Sequence, residues 1–173
     1  MPNPLASLSE AVAAQVLLDA IEASARLTEL GIPHALIGGL AVGLHGHPRA
    51  TKDADFLVGD EAFERSEPIL VYRAELRDLV RVGVIDLMPL PPGHLELAEE
   101  LGLSVGGAIP VIKPEGLILL KLLANRPQDR ADVSALLEQG VSVAAVTAYL
   151  RRHGVDLVPL FAEIVAGMSP GGA

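Results

Sequence analysis

Apolar residues recur at helical spacing over residues 9 to 30, at Val12, Val16, Leu17, Ala20, Ile21, Leu27 and Leu30. Such a stripe marks one face of an amphipathic helix, and Gly31 supplies its stop. Pro33 then opens a short apolar run, 34–37, that ends at Gly38-Gly39. The pattern predicts a strand, a glycine turn and a short helix over 40–44. A polar loop, HGHPRATK, leads into 53–58, whose alternation predicts a second strand. Residues 60–67 read as a short helix and 68–90 as strand-rich, with 82–87 its clearest piece. A further short helix is expected over 96–101 and a strand over 108–112. Pro114 opens a long helical stretch. Breaks near Arg126-Pro127, Gly140 and Gly154 divide it into four consecutive helices reaching residue 167.

This order predicts an α/β (α+β) fold: a small mixed β-sheet flanked by helices, with a C-terminal helical cap. The expected division is an α/β core over 1–113, including the N-terminal helix, and a helical region over 114–168 packed on it. The tail 169–173, SPGGA, is expected to be disordered.

The chain has 173 residues, enough for one domain or a small α/β domain with a helical appendage. Half of it is hydrophobic but only 3% is aromatic, with no Trp, so the core must be aliphatic and base-stacking platforms are scarce. The formal net charge of −9 argues against a general phosphate-backbone binder, and no DNA partner is expected. Cysteine is absent, which excludes disulfide frameworks and thiolate metal sites. The first residues, MPNPLASLSEAVAAQ, lack the basic and continuous apolar segments of a secretion signal. The longest apolar stretches, near 35–44 and 117–124, are short of the roughly 18–20 residues of a membrane span. The expectation is a soluble, cytoplasmic protein without a membrane partner.

Chemistry gathers first at Asp53-Ala54-Asp55. Residues two apart in a strand project to one face, so these carboxylates stand together and repel unless a cation lies between them. A pair of solvated turn aspartates at a strand entrance is the plain alternative. Gly38-Gly39 lies at a strand-to-helix turn, where bare backbone can meet phosphate; a tight turn with close helix packing is its alternative. No Gly-Lys-Ser/Thr follows and the Gly-x-Gly-x-x-Gly spacing is missing, so this is neither a P-loop nor a dinucleotide fingerprint.

Asp86 interrupts an otherwise apolar run, VGVIDLM. A carboxylate there calls for a metal ion or a basic partner, and Arg73, Arg77 and Arg81 are candidates for the latter. Lys121 sits in LILLKLLA, a helix apolar around nearly its whole circumference, so its ammonium must reach an anion or extend to water. That anion is either a triphosphate or an internal aspartate. Arg126, Asp129 and Asp132 follow at helical spacing, where first-turn placement and a local Arg126–Asp129 pair would account for them. His45 and His47 could hold zinc with Asp53, but no further His or Cys stands at ligand spacing.

Together, IGGLAVGLHGHPRATKDADFLV, VIDLM and KLLANRPQDRAD resemble the nucleotidyltransferase superfamily, the DNA polymerase beta-like fold, over roughly residues 30 to 137. The nearest branch is that of the toxins of AbiE-type toxin–antitoxin pairs and their relatives. The resemblance implies that Asp53, Asp55 and Asp86 bind Mg²⁺ (or Mn²⁺), with Asp86 helping to deprotonate an attacking hydroxyl. It implies that Gly38 and Gly39 face the triphosphate, that Lys121 reaches its charge, and that Arg49 and Thr51 contact phosphate. Arg126, Asp129 and Asp132 match the last motif of the toxin branch, and Arg126 and Asp129 join the nucleotide-binding set. The implied function is metal-dependent transfer of a nucleotide from an NTP such as ATP to an acceptor hydroxyl on RNA, protein or a small molecule. An antitoxin would then be a partner. The alternative is a catalytically degenerate member acting as a binding or partner subunit. Gly39 stands where many members have Ser, and Gln128 where Lys is common.

Overall fold

The computed structural model describes residues 14–66, 69–81 and 83–168. These form two compact units: residues 14–44 with 48–112, and residues 45–47 with 113–168.

In the first unit, helix α1 (Ala14–Glu29) buries Val16, Leu17, Ala20, Ala23, Ser24 and Leu27 along one face. The expected start at residue 9 falls outside the described residues. Gly31, at φ +69°, turns the chain into strand β1 (His34–Leu36). Helix α2 (Gly38–Leu44) begins at the glycine pair, two residues before the expected start. Strand β2 (Ala54–Val58) lies antiparallel to β1, with His34 opposite Val58 and Leu36 opposite Phe56.

The chain then departs from the expected short helix over 60–67. A single 3-10 turn, Asp60–Ala62, leads at once into strand β3 (Phe63–Ser66). This pairs antiparallel with β4 (Ile69–Tyr72), and Phe63 stacks on Tyr72 at 5.2 Å between ring centroids. Cross-strand aromatic pairing of this kind stabilises a hairpin, a tertiary gain that helical periodicity within 60–67 cannot register. A 3-10 turn and helix α3 (Arg77–Arg81) follow, so part of the strand-rich stretch is helical.

Strand β5 (Ile85–Pro89) runs parallel to β2, giving a three-stranded mixed sheet of order β1-β2-β5. The short helix expected at 96–101 is a 3-10 segment, Leu95–Glu100. The strand expected at 108–112 is reduced to isolated bridges, of which Leu36–Val111 is parallel. Backbone bonds Leu36 N–H to Pro110 O (2.7 Å) and His34 N–H to Gly102 O (2.8 Å) cover the outer edge of β1, which satisfies groups an open edge would leave exposed.

The first unit's core joins α1 to the sheet through Leu27, Ile32, Leu36, Leu40, Phe56, Val58, Leu76 and Leu87. It is aliphatic but for Phe56 and the partly buried Phe63 and Tyr72, as the composition demands.

The second unit holds α4 (Pro114–Ala124), α5 (Pro127–Glu138), α6 (Val143–His153) and α7 (Val158–Met168). The expected breaks recur, each with a local cause. Asn125, the one non-glycine at positive φ (+50°) among the described residues, caps α4 and donates its N–H to Lys121 O at 2.8 Å; asparagine is among the few residues that tolerate that geometry. Ser142 accepts the Ala145 N–H at the start of α6. Among the described residues no helix is long and apolar enough to cross a membrane.

Candidate functional site

Ladder register brings two of the three sequence-predicted aspartates together. Asp55 on β2 and Asp86 on β5 are directly paired positions of the parallel ladder. Neighbouring strands lie about 4.8 Å apart and paired residues share a face, so both carboxylates belong to one face of the sheet. Asp86 is exposed and Asp55 half-buried, while Ala54, Phe56, Ile85 and Leu87 on either side are buried. The alternation therefore spends the polar positions of both strands on one small area. Asp53 precedes β2 by one residue and accepts a hydrogen bond from Thr51 Oγ1 at 3.3 Å. The same hydroxyl lies 3.2 Å from the Asp53 carbonyl oxygen.

The glycine pair meets these residues from α2. Gly38 has φ +63°, and a Cβ placed on it would lie 1.8 Å from Asp55 Oδ2. Asp55 therefore rests against the bare α-carbon of Gly38. On Gly39 a Cβ would come within 3.1 Å of Thr51 Oγ1 and 3.2 Å of both terminal nitrogens of Arg49. Arg49 also donates to the Ala50 carbonyl at 3.2 Å. Gly38, Gly39, Arg49, Thr51, Asp53, Asp55 and Asp86 thus form one neighbourhood, assembled from the β1–α2 turn, the polar loop and two strands.

Asp86 makes no ion pair among the described residues, and Arg73, one of the basic partners considered for it, is bound to Glu75 at 3.0 Å. A residue without an assignment in the sequence stands near it. Burial, and then the charge of Asp86, push the Tyr72 phenol above its ordinary pKa. The Tyr72 hydroxyl donates to the Leu87 carbonyl at 2.5 Å. Its position on a separate hairpin leaves no trace in local spacing.

Carboxylate oxygens are the donors that Mg²⁺ and Mn²⁺ prefer, and strand register supplies Asp55 and Asp86 side by side. Even so, among the described residues no group of three or more His, Asp or Glu side chains is arranged to hold a metal ion. The donor chemistry fits a divalent cation; the side chains as they stand do not yet enclose one. The same observation applies to the zinc arrangement considered for His45 and His47.

The remaining predicted residues belong to the second unit. Lys121 Nζ donates to Asp129 Oδ1 at 3.0 Å and lies 2.7 Å from Asp132 Oδ2. Of the two anions considered for its ammonium, the internal one is present, supplied twice. Asp129 also accepts from Arg126 Nε at 2.7 Å and from the Arg126 backbone N–H at 3.2 Å. The latter is a carboxylate at the third helical position reaching back to the N-cap. Gln128 donates to Asp132 Oδ1 at 3.0 Å. Burial pushes the Asp129 carboxyl up, but the hydrogen bonds from Arg126 and Lys121 outweigh it and hold its pKa below the ordinary value.

No protein-family model and no curated protein matches the sequence. Among solved structures the chain is similar to an antigenic nucleotidyltransferase-like protein from Paracoccidioides brasiliensis. The TM-score is 0.52 at 18% identity, over 91% of this chain and 94% of that one. Similarity at that identity speaks for the backbone arrangement, and it agrees with the small mixed sheet, flanking helices and helical C-terminal part described above. The chain shares the fold of that nucleotidyltransferase-like protein.

Proposed function

We propose that the chain is a metal-dependent nucleotidyltransferase that moves a nucleotide from an NTP to an acceptor hydroxyl, whose oxygen bonds to the α-phosphorus as pyrophosphate leaves. One observation carries the reading: Asp55 and Asp86 are paired across parallel strands, with Gly38 pressed against the first of them. Two carboxylates held side by side on one face of the sheet favour a divalent cation between them.

Asp53, Asp55 and Asp86 would hold Mg²⁺ or Mn²⁺, which when bound neutralises charge on the entering and leaving oxygens of an in-line displacement. Asp86, the more exposed of the ladder pair, accepts the proton of the acceptor hydroxyl. Arg49 and Thr51 donate hydrogen bonds to phosphate oxygens from beside the glycine turn. Transfer as proposed draws on the first unit alone; Lys121 is held by Asp129 and Asp132, and Asp129 also by Arg126. The acceptor belongs to RNA, protein or a small molecule, and in the RNA case a toxin partnered by an antitoxin is the corresponding biology.

The absence of a ready three-ligand cage among the described residues favours a second reading, a non-catalytic subunit that keeps the fold as a binding platform. Calorimetric titration with ATP, CTP, GTP and UTP in the presence of Mg²⁺ separates the two. An enzyme binds at least one of them and transfers label to an acceptor, and Asp55→Ala abolishes both. Transfer that persists undiminished in Asp55→Ala excludes the assignment.

A further inference from the structure

We infer that Gly38 and Gly39 are positioning residues, each providing a bare α-carbon on which one half of the site is seated: Gly38 the carboxylate of Asp55, Gly39 the guanidinium of Arg49 and the hydroxyl of Thr51. In its functional half this rests on the nucleotidyl-transfer reading.

The geometry separates two reasons for a glycine. Gly31 and Gly38 have nearly the same φ, +69° and +63°, so any side chain at either position is strained. Around Gly31 a Cβ would meet nothing within 4 Å. At Gly38 it would meet Asp55 Oδ2 at 1.8 Å, Cγ at 2.7 Å and Cβ at 2.9 Å. Backbone conformation explains the first glycine in full. It explains only part of the second, where the carboxylate occupies the space a side chain would fill.

Gly39 is a different case, because it is not at positive φ and needs no glycine for its backbone. A Cβ on it would first meet the Thr51 hydroxyl and the two terminal nitrogens of Arg49. A methyl group there would displace polar groups of the loop rather than core atoms. The adjacent glycines thus set the places of the anionic and the phosphate-directed sides of the site through side-chain contact.

The test uses the full chain. Urea midpoints are measured for Gly31→Ala and Gly38→Ala in the wild-type background, and for Gly38→Ala in an Asp55→Gly background. Gly38→Ala should cost more than Gly31→Ala, and the excess should vanish once Asp55 is Gly. Equal costs, or an excess that survives in Asp55→Gly, overturn the seat. Should Gly38→Ala yield no folded protein, Asp55→Gly/Gly38→Ala decides: it folds if the collision is the cause, and its failure beside a folded Asp55→Gly rejects the idea. In folded Gly38→Ala, Mn²⁺ affinity should fall roughly 10- to 100-fold, with Gly31→Ala unchanged. Gly39→Ala should keep the wild-type urea midpoint yet bind ATP severalfold more weakly in Mg²⁺. Wild-type affinities in these two variants would overturn the functional half. If the wild type binds neither Mn²⁺ nor any NTP, the transfer reading falls, and the urea series still judges the seat of Asp55.

Discussion

Lys121 Nζ and Asp132 Oδ2 lie 2.7 Å apart, with side chains 8% and 0% exposed. Asp129, equally closed to water, takes a second bond from the same ammonium. A buried pair of this kind adds little net stability compared with apolar packing, but removing one partner strands the other. Lys121→Met takes the ammonium away from two buried carboxylates, and is expected to cost about 3–5 kcal/mol. Urea denaturation measures this; a loss below about 1 kcal/mol would mean that water replaces the ammonium. Asp129 has a lowered pKa when folded, so its contribution is complete above the ordinary Asp value near ~3.9. It is lost as pH falls through the folded value.

A pH dependence of another origin is expected from α1 and β1. His34 is fully buried, its Nδ1–H donating to the Ile32 carbonyl at 2.9 Å and its Nε2 accepting from Ser24 Oγ–H at 2.7 Å. Burial lowers its pKa, against a smaller raising effect of the Ile32 bond. The unfolded chain therefore binds a proton that the folded chain refuses. Stability should be complete above about pH 6.5 and decline as pH falls from there towards the folded pKa. His34→Gln should flatten that part of the profile. Ser24→Ala strands the imidazole nitrogen and should cost about 1–3 kcal/mol; an unchanged urea midpoint would count against the bond.

Tyr72 offers a reporter for Asp86. The chain has two tyrosines, so a Tyr149→Phe background assigns the ultraviolet phenolate signal to Tyr72. Its midpoint should lie above the ordinary value, through burial and then the Asp86 charge. Asp86→Asn should bring it part of the way down, and Mg²⁺ bound at the aspartates should act in the same direction. A midpoint that ignores Asp86→Asn would place the carboxylate's field elsewhere.

Under the proposed function, Asp55→Asn and Asp86→Asn should each lower label transfer from NTP by at least about a thousandfold, roughly 4 kcal/mol of barrier. Both variants should fold, since each exchanges an exposed or half-buried acid for an amide of nearly the same size. Circular dichroism checks the fold, and residual transfer near wild type would remove that residue from the chemistry.

Much of the architecture is legible in the sequence because its signals are local. The stripe of α1, the glycine turn and the proline and glycine breaks of the helical region each act within a few residues. The hairpin β3–β4 is not legible in that way, since its stability comes from Phe63 meeting Tyr72 across the turn. The run 108–112 misleads for the opposite reason: it leads from exposed Ala108 to fully buried Ile112, but only isolated bridges pair it. Around the site, the DxD spacing and the interrupted apolar run single out the aspartates. Their ladder partnership is not visible, because the register of β2 and β5 is set by hydrogen bonds between residues far apart in the sequence. Lys121 shows the limit clearly: its apolar helix demands an anion, and only the fold reveals that Asp129 and Asp132 supply it.

The connection from β2 to β5 carries the hairpin and α3, yet the level at which Asp86 arrives is fixed by hydrogen bonds of the ladder, not by the length of that excursion. Lengthening a surface loop adds only a slowly growing entropic cost. Outside its buried Ala62 and Leu76, the excursion between Val58 and Ile85 can therefore gain residues at exposed positions, and so acquire a new recognition surface, while the two acids keep their mutual spacing.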